Sequence, residues 1–417
     1  MMKKNYLLHS VFAGLSMAMT VLMASCGTDG EYDGEVPGYS ADTYSSTKNA
    51  MIAGGDAGGS GSGHNGNTQA GVVTAGEWCD LDHWPFWSAL MTGNVEEYAS
   101  KSDYWKFYTN NRVAVSVTDA GGRPLAGISV ILQRQNSDMP LWQAVTDNHG
   151  RANCWAGLFQ KEDAKAETLR LVIDGVKQEQ APLLCQWDSV TQSVAENHYV
   201  VDKASAAKPN ADIAFVVDAT GSMTDEIDFL KSDLVDIISK AASVRPELTM
   251  RTAALFYRDE GDEYVTRVSD FTTNLQSTAK FVGEQRADGG GDYPEAVHTA
   301  LEQMLQKLSW AESARTRIAF LILDAPAHYQ DNVIYSLQHS VQLCAAMGIR
   351  LIPVAASGVD KNTEFMLRFF AVSTGGTYVF LTDDSGVGLS HIQATVGDYK
   401  VEQLNDLLIR LIGYYTE

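Results

Sequence analysis

From about residue 211 to residue 417, short apolar segments alternate with longer amphipathic ones. The segments IAFVVD, RIAFLILD and IRLIPVAA are apolar on both faces up to their last residue, and GTYVFL continues the series. Strands of this kind belong to parallel sheets that helices cover on both sides. The segments between them have helical periodicity, and one predicted helix starts near Pro294. The pattern therefore predicts an α/β fold with a doubly wound, mostly parallel sheet, with VTRVSDF as a short edge strand.

Acidic and hydroxyl side chains stand at three of the predicted strand ends. Asp218, Thr220 and Ser222 follow the first strand, Asp292 lies in the loop ADGGGDYPEA, and Asp324 ends RIAFLILD. Ligands of open parallel sheets bind outside the carboxyl ends of the strands, so the three loops are expected to converge. Hydroxyl and carboxylate oxygens suit a hard cation. The sequence thus predicts a Mg²⁺ or Mn²⁺ site formed by these five residues.

A simpler interpretation exists for the first loop, in which Asp218 and Ser222 only cap the helix that follows. Two neighbouring features also have alternative interpretations. The loop with Arg258, Asp259 and Asp262 either borders the site or is a salt-bridged hairpin turn. His328 either contacts a ligand or is a hydrogen-bonded loop histidine.

The segment Asp218-Ala219-Thr220-Gly221-Ser222 resembles the DxSxS motif of von Willebrand factor A domains, with threonine in the middle position. In that family the motif forms a metal-ion-dependent adhesion site, which a second loop and an aspartate ending a later strand complete. The resemblance places Asp292 and Asp324 there, although Gly291 stands where the family usually has threonine. It extends over 211–417, and YRDEGD, GGGDYPEAV and LILDAPAH look like bacterial members.

The preceding part, residues 71–205, is predicted to contain an aromatic-rich segment and a small all-β sandwich. The segment VTDAGGRPLAGISVIL resembles carboxypeptidase-regulatory-like or bacterial Ig-like sandwich domains, which usually act as spacers. The aromatic residues between positions 78 and 108 either bind the faces of sugars or form a packing patch. The α/β domain then occupies residues 206–417.

The first 26 residues have the layout of a secretory signal, with a basic start and an apolar stretch. The end of this stretch, LMASC, resembles the lipobox of bacterial lipoproteins, which implies that Cys26 is acylated. Residues 27–70 are rich in Gly and Ser and read as a disordered tether. The acidic residues after Cys26 resemble the export tails of Bacteroides-like surface lipoproteins. The expected location is the bacterial outer membrane, on either its periplasmic or its outer face.

Charge and cysteine spacing exclude several function classes. The formal net charge is −21, which disfavours nucleic acid and anionic membrane surfaces as partners. No CxxC pair, zinc-ligand spacing, Walker motif, GxSxG or HExxH occurs. The thiols of Cys79, Cys154 and Cys185 either form one disulfide among them or remain free.

These observations favour an envelope-anchored, Mg²⁺-dependent binding protein without enzymatic activity. The resemblance implies a protein partner that offers a carboxylate to the metal. One alternative is a structural envelope lipoprotein with a vestigial or intramolecular site. A less favoured alternative is a metal-dependent hydrolase of the haloacid dehalogenase type, whose second aspartate is replaced here by Thr220.

Overall fold

The computed structural model describes residues 70–417, apart from 94–95, 162–163, 189–192, 205–206 and 387–389. The predicted signal segment, Cys26 and almost all of the tether lie outside the described residues. Within the described part of the chain, no helix combines the length and apolarity needed to cross a bilayer.

The described chain opens with a segment that contains one strand and two helices. They are β1 (Thr74–Trp78), α1 (Trp84–Thr92) and α2 (Glu96–Trp105). Pro85 stands in the first turn of α1, where a missing backbone N–H does no harm. The aromatic side chains of this segment are mostly buried, and Trp87, Trp105 and Phe107 are at most 1% exposed. Such burial confirms the packing interpretation of the aromatic cluster.

Two small sheets follow and share one hydrophobic core. One has the strand order β10-β2-β5 and the other β4-β3-β6-β7, and a separate two-stranded hairpin pairs β8 with β9. Buried side chains of β2, β3, β5 and β6 meet between the two sheets. The strands are β2 (Asn110–Thr118), β3 (Ser129–Arg134), β4 (Pro140–Val145), β5 (Arg151–Gly157), β6 (Leu169–Ile173), β7 (Val176–Lys177), β8 (Trp187–Asp188), β9 (Ser193–Val194) and β10 (Glu196–Val200).

The rest of the chain forms an α/β unit around an eight-stranded sheet. Its strand order is β13-β12-β11-β14-β15-β16-β1-β17. The five strands from β12 to β16 in that order are parallel to one another. The other three strands, β13, β1 and β17, are antiparallel to the strands with which they pair. The strands are β11 (Lys208–Asp218), β12 (Thr249–Tyr257), β13 (Thr266–Thr272), β14 (Ala314–Leu323), β15 (Ile349–Ala355), β16 (Tyr378–Leu381) and β17 (Glu402–Gln403).

Helices cover both faces of this sheet, and two buried clusters lie on its two sides. The helix after β14 ends at Gly348, which adopts the left-handed conformation with φ 69° as expected of a C-cap glycine. The predicted doubly wound fold and the edge strand VTRVSDF are thereby confirmed. The helices are α3 (Ile227–Val244), α4 (Leu275–Gly283), α5 (Val297–Lys307), α6 (Asp331–Met347), α7 (Lys361–Thr374) and α8 (Leu404–Thr416).

The segment before the two small sheets belongs to the α/β unit. The sequence pattern placed residues 71–108 with the sandwich, whereas β1 pairs with β16 and β17 and so extends the large sheet. A buried ion pair locks this arrangement, because Arg368 of α7 donates to both carboxylate oxygens of Asp80, at 2.9 and 2.6 Å. The Arg368 guanidinium also donates to the Tyr98 hydroxyl at 2.8 Å. Arg368 and Asp80 are 0% and 1% exposed.

We expect Arg368→Met to lower the free energy of unfolding by about 3–5 kcal/mol, because it leaves the Asp80 carboxylate buried without its partner. Urea denaturation followed by circular dichroism measures the change. Adding Asp80→Asn should recover part of the loss, since no unpaired charge remains. Lys161→Ala is the control, because its pair with Asp103 is largely exposed, and it should have almost no effect. Equal effects of Arg368→Met and Lys161→Ala would contradict the assigned role of the buried pair.

Candidate functional site at the carboxyl ends of the sheet

Two buried aspartates stand side by side where adjacent parallel strands end. Asp218 is the last residue of β11, and Asp324 directly follows β14. These strands are neighbours in register, with Val217 opposite Ile322. Asp218 is fully buried and Asp324 is 6% exposed. The parallel pairing therefore brings both carboxylates to one point, as the sequence predicted.

The loop after β11 holds the Asp218 carboxylate in one orientation. The backbone N–H and the hydroxyl of Thr220 both donate to Asp218 Oδ1, at 2.9 and 2.7 Å. The Thr220 and Ser222 hydroxyl oxygens are 3.2 Å apart. A short 3₁₀ turn follows, and α3 begins only at Ile227 with no side-chain cap. Neither Asp218 nor Ser222 therefore caps α3 in this structure.

The second loop brings Glu295 into the protein and leaves Asp292 exposed. The sequence pattern placed the helix start near Pro294, but α5 begins at Val297. Glu295 instead lies in extended backbone that forms a bridge with Ala327, and it is 2% exposed. The early proline had suggested the first turn of a helix, where an acidic residue is common. Glu295 is thus the buried acid of this loop, and whether Asp292 reaches a metal stays a prediction.

Glycines allow the first two loops to approach each other closely. Gly221 donates its backbone N–H to Gly289 O at 3.1 Å. A Cβ on Gly290 (φ +72°) would stand 3.1 Å from Glu295 Oε1 and 3.4 Å from the Thr220 side chain. Position 290 therefore requires glycine for two reasons, its left-handed backbone conformation and the close contact between the two loops.

The loop after β12 forms one wall of the site. Arg258 is buried and donates to Ala219 O at 3.1 Å and to Arg286 O at 2.9 Å. Asp262 accepts from the backbone N–H of Gly290 at 2.9 Å. His328 Nε2 lies 2.7 Å from Asp259 Oδ1. The loop therefore borders the site, and it is also paired internally, because the backbone N–H of Asp259 donates to Asp262 at 3.1 Å. His328 is a hydrogen-bonded loop histidine.

A further buried carboxylate stands behind Asp324. Glu226, which is 2% exposed, precedes α3 and accepts the backbone N–H of Ser357 at 3.0 Å. Its charge contributes to the raised pKa of Asp324. Sequence reasoning missed both Glu226 and Glu295, because each looked like an ordinary first-turn residue of an amphipathic helix.

Burial and mutual repulsion make these carboxylates hard to ionise. Burial, together with the charge of Asp324, raises the pKa of Asp218, and burial raises the pKa of Asp324, with Glu226 adding to the rise. Burial and the charges of Asp218, Asp259 and Asp324 raise the pKa of Glu295 to about 9. A bound cation would offset this cost, since an opposite charge at close range favours the ionised form.

Several oxygen atoms at this point have no partner. Asp218 Oδ2, Asp324 Oδ1, Glu295 Oε2 and the Tyr257 hydroxyl are buried without a hydrogen bond of normal geometry to any described residue, although Tyr257 lies near enough to Asp218, and Ser222 to Asp324, to oppose the rise in the pKa of each aspartate. Buried polar atoms are nearly always satisfied, so these orphans need an explanation. Within the described chain, no three His, Cys, Asp or Glu side chains are grouped tightly enough to form a metal centre. The donor set that fits is a mixed one, in which two aspartates act together with hydroxyl groups and water.

The fold and this site define an α/β domain with an oxygen-rich, cation-compatible cluster at its strand ends. Residues 212–346 match the family model of the von Willebrand factor A domain, so such a domain is found in this part of the chain. Domains of this family generally serve as protein-interaction modules rather than enzymes.

The chain is also similar to curated proteins and solved structures. It is 25% identical over 211 residues to "Alpha-protein kinase vwkA" of Dictyostelium discoideum, over 50% of this chain and 33% of that protein. It is 31% identical over 186 residues to "Putative ariadne-like RING finger protein R811" of Acanthamoeba polyphaga mimivirus, over 41% of this chain and 18% of that protein. The chain thus spans a third or less of these relatives.

Among solved structures, the conserved hypothetical protein BatB from Bacteroides thetaiotaomicron is 12% identical with a TM-score of 0.35, over 49% of this chain and 98% of that one. Proximal thread matrix protein 1 from the mussel byssus is 16% identical with a TM-score of 0.30, over 40% of each chain.

The raised pKa values predict a pH dependence of stability in the absence of metal. Unfolded aspartate has a pKa near 3.9, so the folded chain binds protons more firmly than the unfolded chain above about pH 4. The free energy of unfolding in EDTA should therefore decrease as the pH rises from about 5 to about 8. Asp218→Asn removes one of the repelling charges and should make this fall smaller.

Urea denaturation of the parent and of Asp218→Asn at pH 5 and at pH 8 measures how much the free energy of unfolding changes with pH in each protein. Asp292→Asn is the matched control, because Asp292 is exposed, and it should retain the full decrease of the parent. An identical pH dependence in the parent and in Asp218→Asn would show that the cluster does not resist ionisation.

Proposed function

We propose that the protein is a divalent-cation-dependent binding module that recognises a carboxylate on a protein partner. Asp218, Thr220, Ser222 and Asp324 would hold Mg²⁺ or Mn²⁺, and Glu295 would supply a further negative charge beside it. The observation that carries this proposal is the pair of buried, unpartnered oxygens Asp218 Oδ2 and Asp324 Oδ1 at the ends of adjacent strands.

The chemistry of the donors supports a hard cation. Each of them is an oxygen, and Mg²⁺ prefers oxygen ligands and retains positions for water or a partner. Ser222 is exposed, so the site opens to solvent on that side. A cation bound there would attract an anionic group of the partner, while Thr220 would keep the Asp218 carboxylate oriented.

Two further parts of the proposal concern the cellular setting. The lipobox-like LMASC implies an anchor at Cys26, and residues 27–70 would hold the folded part away from the membrane. We place the protein at the bacterial outer membrane on this basis.

We expect the full chain to bind Mg²⁺ in calorimetric titration and Asp218→Ala to abolish that binding, because Asp218 provides a central oxygen of the site. Glu295→Gln should weaken binding by about tenfold, since it removes a neighbouring negative charge. Retained Mg²⁺ affinity in Asp218→Ala would refute the site.

A matched variant decides which acid of the second loop matters. Asp292→Asn changes an exposed carboxylate three residues before Glu295, and we expect it to weaken Mg²⁺ affinity less than Glu295→Gln does. A larger loss in Asp292→Asn than in Glu295→Gln would restore Asp292 as the ligand that the sequence pattern predicted. Circular dichroism of all variants confirms that they are folded.

A further inference from the structure

Three exposed tyrosines lie on, or are stacked against, the loops that carry Glu295 and Asp324, and we call them the tyrosine rim. They are Tyr104, Tyr293 and Tyr329, which are 36%, 45% and 50% exposed. Large aromatic side chains left in solvent next to a functional site favour an interaction surface.

Tyr293 stands in the second loop, next to Asp292 and two residues before Glu295. Its hydroxyl donates to Gly358 O at 3.3 Å and accepts from the backbone N–H of Asp360 at 3.2 Å. Burial raises the pKa of Tyr293, and the charges of Asp360 and Asp324 add to the rise. These contacts tie Tyr293 to the beginning of α7 and hold it at the edge of the site.

Tyr104 and Tyr329 form the other part of the rim. Their rings are stacked with centroids 3.7 Å apart and an interplanar angle of 17°. Tyr329 directly follows His328 in the loop after β14, whereas Tyr104 comes from α2. The buried Trp105 makes edge-to-face contacts with both rings. The rim is therefore built jointly by the first segment of the chain and the α/β unit.

The charge around the rim is negative. Glu260, Asp288 and Asp292 lie on the loops that surround the site, and all three are exposed. Arg258 is 5% exposed, donates to backbone carbonyls and lies 3.9 Å from the Asp288 carboxylate, while His298 Nε2 lies 3.5 Å from Glu260. Lys106, which follows the α2 helix, is paired with Asp331 at 2.7 Å. A partner that binds this surface would contact exposed aromatic rings and more carboxylates than exposed cationic groups.

We propose that the rim selects a basic protein segment in which an Asp or Glu is flanked by arginine. This inference rests on the proposed function, since the acidic side chain of the segment would reach the bound cation. Its flanking guanidinium groups would lie over the tyrosine rings and near the exposed carboxylates.

Arginine fits this surface better than other groups do. Its planar guanidinium stacks on aromatic faces and is attracted by nearby carboxylates, so one side chain satisfies both features of the rim. An acidic polysaccharide would also offer a carboxylate and rings to stack. However, its repeated negative charges would be repelled by Glu260, Asp288 and Asp292 and by the overall charge of −21.

The test compares three capped fluorescent peptides by anisotropy with the full chain in Mg²⁺. They are Arg-Ser-Glu-Ser-Arg, Gly-Ser-Glu-Ser-Gly and Arg-Ser-Gln-Ser-Arg, and oligogalacturonate serves as a competitor. We expect the first peptide to bind most tightly and to be released by EDTA. The combined variant Tyr104→Ala and Tyr329→Ala should bind it about tenfold more weakly, because it loses the stacking surface.

Controls separate this inference from the function on which it rests. The double variant should keep the calorimetric Mg²⁺ affinity of the parent, whereas Asp218→Ala loses Mg²⁺ and peptide together. Tyr399→Ala should change neither, because Tyr399 is similarly exposed (43%) but packs on Phe380 of β16 rather than on the rim.

Several results would overturn the proposal. If Mg²⁺ binds but the arginine-flanked peptide binds no better than the glycine-flanked one, the rim does not select arginine. Tighter binding of oligogalacturonate would assign the surface to an acidic glycan. Absence of Mg²⁺ binding would remove the proposed function and this inference together.

Discussion

The main constraint in this structure is the repulsion between buried carboxylates that the parallel sheet holds close together. Because β11 and β14 are adjacent and in register, Asp218 and Asp324 end up side by side in a place that water barely reaches. Glu226 and Glu295 add further negative charge around them. Hydrogen bonds from Thr220 to Asp218 and from Ser357 to Glu226 compensate part of this charge, whereas the buried guanidinium of Arg258 is directed to carbonyl oxygens. A site of this kind is costly as an empty acidic cluster and becomes favourable with a cation.

A second constraint is the ion pair between Arg368 and Asp80, which joins parts of the chain that are 288 residues apart. It secures the first segment against α7, so that β1 can extend the sheet and α2 can reach the site. The same segment carries Tyr104, which stacks on Tyr329. The segment therefore does more than link a tether to the small sheets, since it supplies part of the surface that a partner would contact.

Much of the α/β unit could be predicted from the sequence, because strands buried on both faces leave an unmistakable apolar pattern. The first two loops were harder. The sequence predicts Asp292 as the metal ligand of the second loop, and this stays a prediction, but the chain turns so that the Asp292 side chain is exposed and Glu295 is buried. That turn follows from the bridge to Ala327, a contact between residues far apart in sequence that no local pattern reveals. The aromatic segment was assigned to the sandwich for the same reason, because its partners in α7 and β16 come almost 300 residues later.

The sequence by itself determined the alternation of buried strands and amphipathic helices, and with it the α/β class and the position of Asp218, Thr220, Ser222 and Asp324 at strand ends. These features are local, since hydrophobic periodicity and the end of a strand are written in neighbouring residues. Only the tertiary structure decided that Glu295 faces the cluster, that β1 joins the large sheet and that Tyr104 stacks on Tyr329. Each of these depends on pairing between distant segments, which is selected by packing and by the satisfaction of buried polar groups rather than by local preference.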